Sequence, residues 1–155
     1  MYSTLAMHIK WMELALAEAE KAYSKGEVPI GAVIVLDDEV IGSGHNLVET
    51  LQDPTAHAEM LAIAQAVNAQ SSWRLNDARL YVSLEPCPMC FGACHLARIS
   101  NIIYGADDPR LGACGSKVDL TNLDAMSSPI SLEKGILAEQ SRALIQQFFK
   151  ELRAR

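Results

Sequence analysis

Apolar residues recur at three- and four-residue spacing near the start of the chain, where Ile9, Met12, Ala15, Leu16, Ala19 and Tyr23 share one helical stripe. The spacing predicts a helix over 3–25, ended by Gly26. Over 30–36 that period gives way to a continuous apolar run rich in β-branched residues, the pattern of a buried strand. Asp37-Asp38 marks a turn, and 39–44 returns as a hairpin partner. Asp53-Pro54-Thr55 punctuates the chain before a helix over about 56–68. A second buried strand over 79–84 leads through Glu85-Pro86 into a helix over 87–97, and a third apolar strand follows over 99–104. Gly, Asp, Ser and Pro crowd 105–132, which reads as loop with a short helix. A short strand near 130–132, or just after it, precedes a last helix over 137–152.

Strand, helix, strand over 79–104 forms a βαβ unit, so those two strands are expected to be parallel. The opening hairpin adds antiparallel strands. The expected fold class is therefore α/β, a three-layer α/β/α sandwich with a mixed sheet covered on both faces. No repeat, low-complexity tract or linker divides the sequence, which is expected to form a single domain over 1–155.

Composition narrows the function classes. Half of the residues are apolar and 21% are charged, as in a globular domain. No stretch of 18 uncharged apolar residues occurs, so no membrane span is expected. Lys10 and Glu13 interrupt the first apolar turns, which argues against a secretory signal and for a cytoplasmic location. The net charge of −6 argues against a general polyanion binder. Its distribution is uneven: 133–155 holds five cations against three carboxylates, a small basic end on an acidic body. That end could meet a nucleic acid locally, or be a solvated helix end with cations favoured by the helix dipole.

Four cysteines, two of them as Cys-x-x-Cys, point to metal or redox chemistry rather than a disulfide framework. Zinc prefers thiolate and imidazole ligands, and a catalytic zinc keeps one position open for water. His57, Cys87 and Cys90 supply three ligands with no evident fourth. Cys87 and Cys90, at i and i+3, share a face at the start of the predicted helix, where the dipole favours thiolate. His57 and Glu59, two apart, serve one site only where their helix points end-on at it. Glu59 is then free to take a proton from a metal-bound water and hand it on to a departing amine. Cys-Pro-Met-Cys at a strand–helix junction fits a thioredoxin-like redox site equally well when taken alone. His-x-Glu followed by Pro-Cys-x-x-Cys is the combined signature of zinc deaminases acting on nucleobases.

The resemblance extends over 27–153. Val28-Pro29-Ile30-Gly31-Ala32-Val33, Gly44-His45-Asn46, Asp53 to Glu59 and Leu84 to Cys90 are similar to bacterial tRNA-specific adenosine deaminases, within the cytidine and deoxycytidylate deaminase superfamily. Tyr104-Gly105-Ala106 with Asp108, Gly112 to Ser116, Gly135-Ile136-Leu137 and Phe148-Phe149 continue the match. That family converts the wobble adenosine of a tRNA anticodon to inosine. The resemblance implies a cytidine deaminase-like fold with about five strands, and one Zn2+ per subunit held by His57, Cys87 and Cys90. It also implies Glu59 as proton shuttle and a homodimer. Asn46, Pro29, Ala58, Leu84, Glu85, Asp108 and Phe149 would meet the anticodon stem-loop, with Asn46 on the flipped base. Such a base is read at its edge and stacked on an aromatic ring.

The chain departs from the family in three places. It reads Leu47-Val48-Glu49 where a proline is common, Asp107 where a basic residue is common, and ends its cations at Arg155 with Leu152 between them. Each departure weakens attraction to phosphate. Guanine deaminases of the same fold also carry Pro-Cys-Pro-Met-Cys, so a zinc deaminase of a free base is the alternative. A thiol–disulfide oxidoreductase and a non-catalytic RNA-binding partner are the further ones; Glu59 argues against the last. Cys94 is expected in the core, Cys114 to fill a small position, and Trp11 and Trp73 to pack. His45 is expected to be satisfied by backbone, and Arg98 by a surface salt bridge.

Overall fold

A computed structural model describes residues 3–123 and 129–155. Helix α1 (Thr4–Ser24) opens on the Ser3 hydroxyl, which accepts from the Ala6 amide at 3.1 Å. Strands β1 (Gly31–Leu36) and β2 (Glu39–His45) follow as a hairpin. Asp37 and Asp38, both at positive φ, make the tight turn between them. A one-turn helix α2 (Val48–Leu51) leads to α3 (Ala58–Gln70), and then come β3 (Arg79–Leu84), α4 (Pro88–Leu96) and β4 (Asn101–Ala106). A 3-10 turn at Leu120–Asn122, β5 (Ser131–Lys134) and α5 (Ala138–Arg153) complete the order.

The five strands lie in the order β2-β1-β3-β4-β5. β1 runs antiparallel to both β2 and β3, whereas β3, β4 and β5 are parallel. Ala32, Ile34, Leu80, Val82, Ile102 and Tyr104 pack against α3 and α4 through Ala58, Ala62, Ala66, Phe91 and Cys94. The alternate positions Val33, Val35, Tyr81 and Ile103 pack against Trp11, Met12 and Ala15 of α1, with Ile136. Both faces of β1, β3 and β4 are therefore covered, which is why these strands read as unbroken apolar runs. The three-layer sandwich with a mixed sheet is as expected.

Because β1 opposes β3, the start of β1 lies beside the end of β3 on one side and the end of β2 on the other. The segments around residues 26–30, 46–49, 84–87 and 106–111 thus share one end of the sheet. It is the end where open α/β sheets bind ligands, at a change in strand direction.

The starts of α3 and β4 differ from expectation, and α2 was not expected. α3 begins at Ala58 rather than near 56, because the Asp53 carboxylate accepts from the Thr55 amide and hydroxyl and holds 53–57 out of the helix. β4 begins at Asn101, because Arg98 in the left-handed conformation and an Ile99 amide donating to the Cys94 carbonyl finish α4 first. α2 carried no periodic signal, being a single turn.

Candidate active site

His57 and Cys87 occupy equivalent places in the fold. Each is the extended residue immediately before a helix, α3 and α4 respectively, and neither uses its side chain to cap that helix. Both are thus left free to face the same point. Pro88 holds the first position of α4, where a missing amide costs nothing. Cys90 follows one turn on, fully buried. The approach of α3 to β2 is close: a Cβ at Gly44 would stand 2.6 Å from the Ala58 carbonyl and 2.8 Å from the Ala62 amide. Only glycine lets the start of α3 sit there.

His57 Nδ1 lies 3.6 Å from Cys87 Sγ and 3.5 Å from Cys90 Sγ, and the three ligand atoms all lie within 4.8 Å of one another. A tetrahedral zinc with bonds of about 2.0 Å to nitrogen and 2.3 Å to sulfur places those atoms about 3.6 Å apart. The donor set and its spacing fit the metal. The Cys87 thiol is lowered to about 4, chiefly by its hydrogen bond with Cys90 and then by His57, with burial opposing. The same partnership pushes Cys90 up, so the first thiolate forms on Cys87. His57 is raised by its bond to Cys87.

Glu59 sits in the first turn of α3, 4% exposed, and burial pushes its carboxyl up to about 7. A group poised near neutrality can both take and give a proton. The expectation that a helix end-on to the site reconciles His57 with Glu59 describes what is seen. Cys94 is buried against the core, its thiol pushed well above its ordinary range by burial, and Cys114 is pushed up to about 12 by the same cause. Neither belongs to the His57, Cys87, Cys90 group.

A cavity of 990 Å³ opens over His57, Glu59 and Cys87. Of the sequence-expected contacts, Asn46, Ala58, Leu84, Glu85, Asp108 and Phe149 line it; Pro29 does not, although Val28 and Ile30 on either side do. Asn46 is oriented by two bonds, its Nδ2 donating to the Val28 carbonyl and its Oδ1 accepting from the Val48 amide. Glu85 is also held in place by a set of bonds of its own. Its carboxylate accepts from the amides of Asp108, Cys114 and Ser116 and from the Ser116 hydroxyl, and so is turned to a loop. Burial disfavours its charge, yet these bonds together hold it below the usual carboxylate range. Phe148 is anchored edge-on against Tyr23 and Phe149, which sets Phe149 at the cavity wall.

Sequence reasoning missed Glu27, Arg142 and Arg153 as lining residues. Glu27 is 1% exposed, and a lone Glu between a glycine turn and an apolar strand was its only signal. Three further readings are corrected. His45 is satisfied by the side chains of Glu18 and Lys25 rather than by backbone. Trp73 stands half exposed beneath the guanidinium of Arg74, with Arg98 near. Arg98 donates to the carbonyls of His95 and Leu96 in place of a salt bridge.

Comparison with known proteins agrees with this geometry. The family model of MafB19-like deaminases matches residues 6–153. A tRNA-specific adenosine deaminase of Bacillus subtilis (strain 168) is 46% identical over 143 residues, 92% of this chain and 89% of the relative. A structure from studies of A-to-I editing by tRNA:A34 deaminases at the wobble position superposes with a TM-score of 0.85 at 43% identity, covering 87% of this chain and 98% of that one. A guanine deaminase structure from Bacillus subtilis reaches a TM-score of 0.61 at 42% identity over 63% of each chain.

Proposed function

The chain belongs to the MafB19-like deaminases and, among them, to the tRNA-specific adenosine deaminases, and on that premise we propose that it hydrolyses the wobble adenosine of a tRNA anticodon to inosine. The observation that carries the chemistry is the convergence of His57, Cys87 and Cys90, with His57, Cys87 and a buried Glu59 lining one cavity. The three ligands would hold one Zn2+, which supplies Lewis acidity and brings the pKa of water toward neutrality. Glu59 accepts the proton of the water that adds to C6 of the adenine and delivers it to the departing amino group, so that water is consumed and ammonia released. Ala58 and Leu84 close the cavity around the base. Asn46, already oriented by Val28 and Val48, keeps a lone pair and a proton for the edge of the base. Asp108 and Phe149 stand where flanking nucleotides pass, and a splayed base stacks on such a ring.

The same reading takes 1–155 as one deaminase domain, acting in the cytoplasm as a homodimer with one zinc per subunit and no membrane partner. Among the described residues no helix is long and apolar enough to cross a bilayer. Hydrolysis of a free base is the second reading, favoured by Pro88 within Cys-Pro-Met-Cys. Incubating the zinc-loaded protein with a tRNA transcript bearing wobble adenosine, and separately with guanine, separates the two. Inosine in the tRNA with no ammonia from guanine is expected; the reverse would replace this reading by the second. Sedimentation velocity, expected at twice the chain mass, tests the dimer.

A further inference from the structure

Glu27 and Glu85 are buried carboxylates, 1% and 2% exposed. Among the described residues neither meets a cation within salt-bridge distance. A buried charge without a counter-ion is costly unless hydrogen bonds surround it. Both side chains solve that problem by accepting backbone bonds, Glu27 from first-turn amides of α2 and Glu85 from the loop after β4. Glu27 Oε1 accepts from the Glu49 amide at 3.1 Å, and Oε2 from the amide and hydroxyl of Thr50, both at 2.6 Å. Glu85 Oε1 accepts from the Asp108 amide at 3.0 Å and from the Ser116 hydroxyl, while Oε2 accepts from the amides of Cys114 at 2.9 Å and Ser116 at 3.2 Å. Room is reserved for the second clamp, since a Cβ at Gly112 would land on the Glu85 carboxylate.

The two clamped segments, α2 and the loop after β4, are the flanking walls of one cavity. Residues 48–49 follow β2, and 107–111 follow β4; β1 and β3 lie between those strands in the sheet. Each clamp also touches a segment that faces the reaction. Glu27 precedes Val28, whose carbonyl orients Asn46. Glu85 precedes Pro86 and Cys87, and the Ala113 amide donates to the Pro86 carbonyl at 2.9 Å, fastening the loop to the segment between β3 and α4 that holds Cys87. Three of the four accepting positions of Glu27 and all four of Glu85 are taken by these bonds. What each one fixes is the distance between a wall and a reacting floor.

We propose that Glu27 and Glu85 are positioning residues, paired carboxylate clamps that hold the two walls of the substrate cavity in binding geometry against Asn46 and Cys87 before the substrate arrives. The proposal rests on the function given above for its substrate. Preformed walls save the cost of ordering two segments on binding, so their loss weakens substrate affinity more than it slows the step on the bound base.

The test uses the zinc-loaded full chain and its Glu27→Gln, Glu85→Gln, Thr50→Val and Ser116→Ala variants. Steady-state deamination of wobble-adenosine tRNA is read together with zinc content and amide hydrogen exchange. Glutamine at 27 or 85 is expected to raise KM about tenfold with kcat within about threefold and one zinc retained. Exchange is expected to quicken about tenfold at residues 49 and 50 in the first variant, and at 108, 114 and 116 in the second. Thr50→Val and Ser116→Ala delete one hydroxyl each and keep the carboxylate, so they report whether or not a glutamine variant folds. Their KM is expected to rise about two- to fourfold. Unchanged KM and exchange across the variants would overturn the clamps, as would a loss of kcat in proportion to lost zinc. If the parent protein leaves the tRNA unaltered, the proposed function fails by itself. The exchange rates then decide the clamps alone, and amides that do not quicken overturn them.

Discussion

A carboxylate in the first turn of a helix is ordinarily favoured as an anion by the helix dipole, yet burial pushes Glu59 up to about 7. The cost of that placement makes sense only if the proton is used. Glu59→Gln keeps the volume and removes the proton acceptor; kcat is expected to fall by about 10³-fold while the protein still binds one zinc by metal analysis. Cys87→Ala should lose the metal, whereas Cys94→Ala, at a core position, should keep it and lose about 1 kcal/mol of stability in a denaturant titration. Glu27 gives a pH signature. Burial opposes its charge, but the bonds from Thr50 and Glu49 hold it below its ordinary value of 4.5. A lowered folded-state value stabilises the fold above the unfolded one and is lost as pH falls through the folded value. The difference in stability between the parent and Glu27→Gln should therefore be full at neutral pH and shrink once pH falls below 4.5.

At the scale of elements, the sequence revealed what periodicity can carry. The apolar runs of β1, β3 and β4 and the stripe on α1 were legible because each answers to a covered face. The group of His57, Cys87 and Cys90, which could hold a metal, was legible because zinc chemistry restricts residue type and spacing together. Helix ends were less so. Where α3 starts is decided by the Asp53–Thr55 turn and by the seat that Gly44 offers, neither of which leaves a periodic trace. The roles of Glu27 and Glu85 were hidden for the same reason, because their partners lie more than twenty residues away in backbone amides of no particular sequence. Gly44→Ala tests the seat. Pushing α3 off β2 is expected to cost about 1–3 kcal/mol in denaturant unfolding, with zinc affinity reduced because His57 leads that helix.

The whole molecule is acidic, and the cations lining the cavity are Arg110 in the loop after β4 and, beside Phe149 on α5, Arg142 and Arg153. Attraction to RNA then rests on a few local contacts against an unfavourable overall field. Replacing Arg153 by Ala should raise KM for tRNA at low salt and flatten the log–log salt dependence by about 0.7–1, with little change in kcat. The central claim, that this cavity acts on one splayed adenosine of an anticodon loop, is tested most directly by mapping the product. A transcript carrying adenosine at the wobble position and at other loop positions is treated with the zinc-loaded protein and sequenced for inosine. The account predicts inosine at the wobble position alone, and none with the zinc-bound Glu59→Gln protein. Inosine scattered through the loop, or an unaltered tRNA beside ammonia released from free guanine, would contradict it.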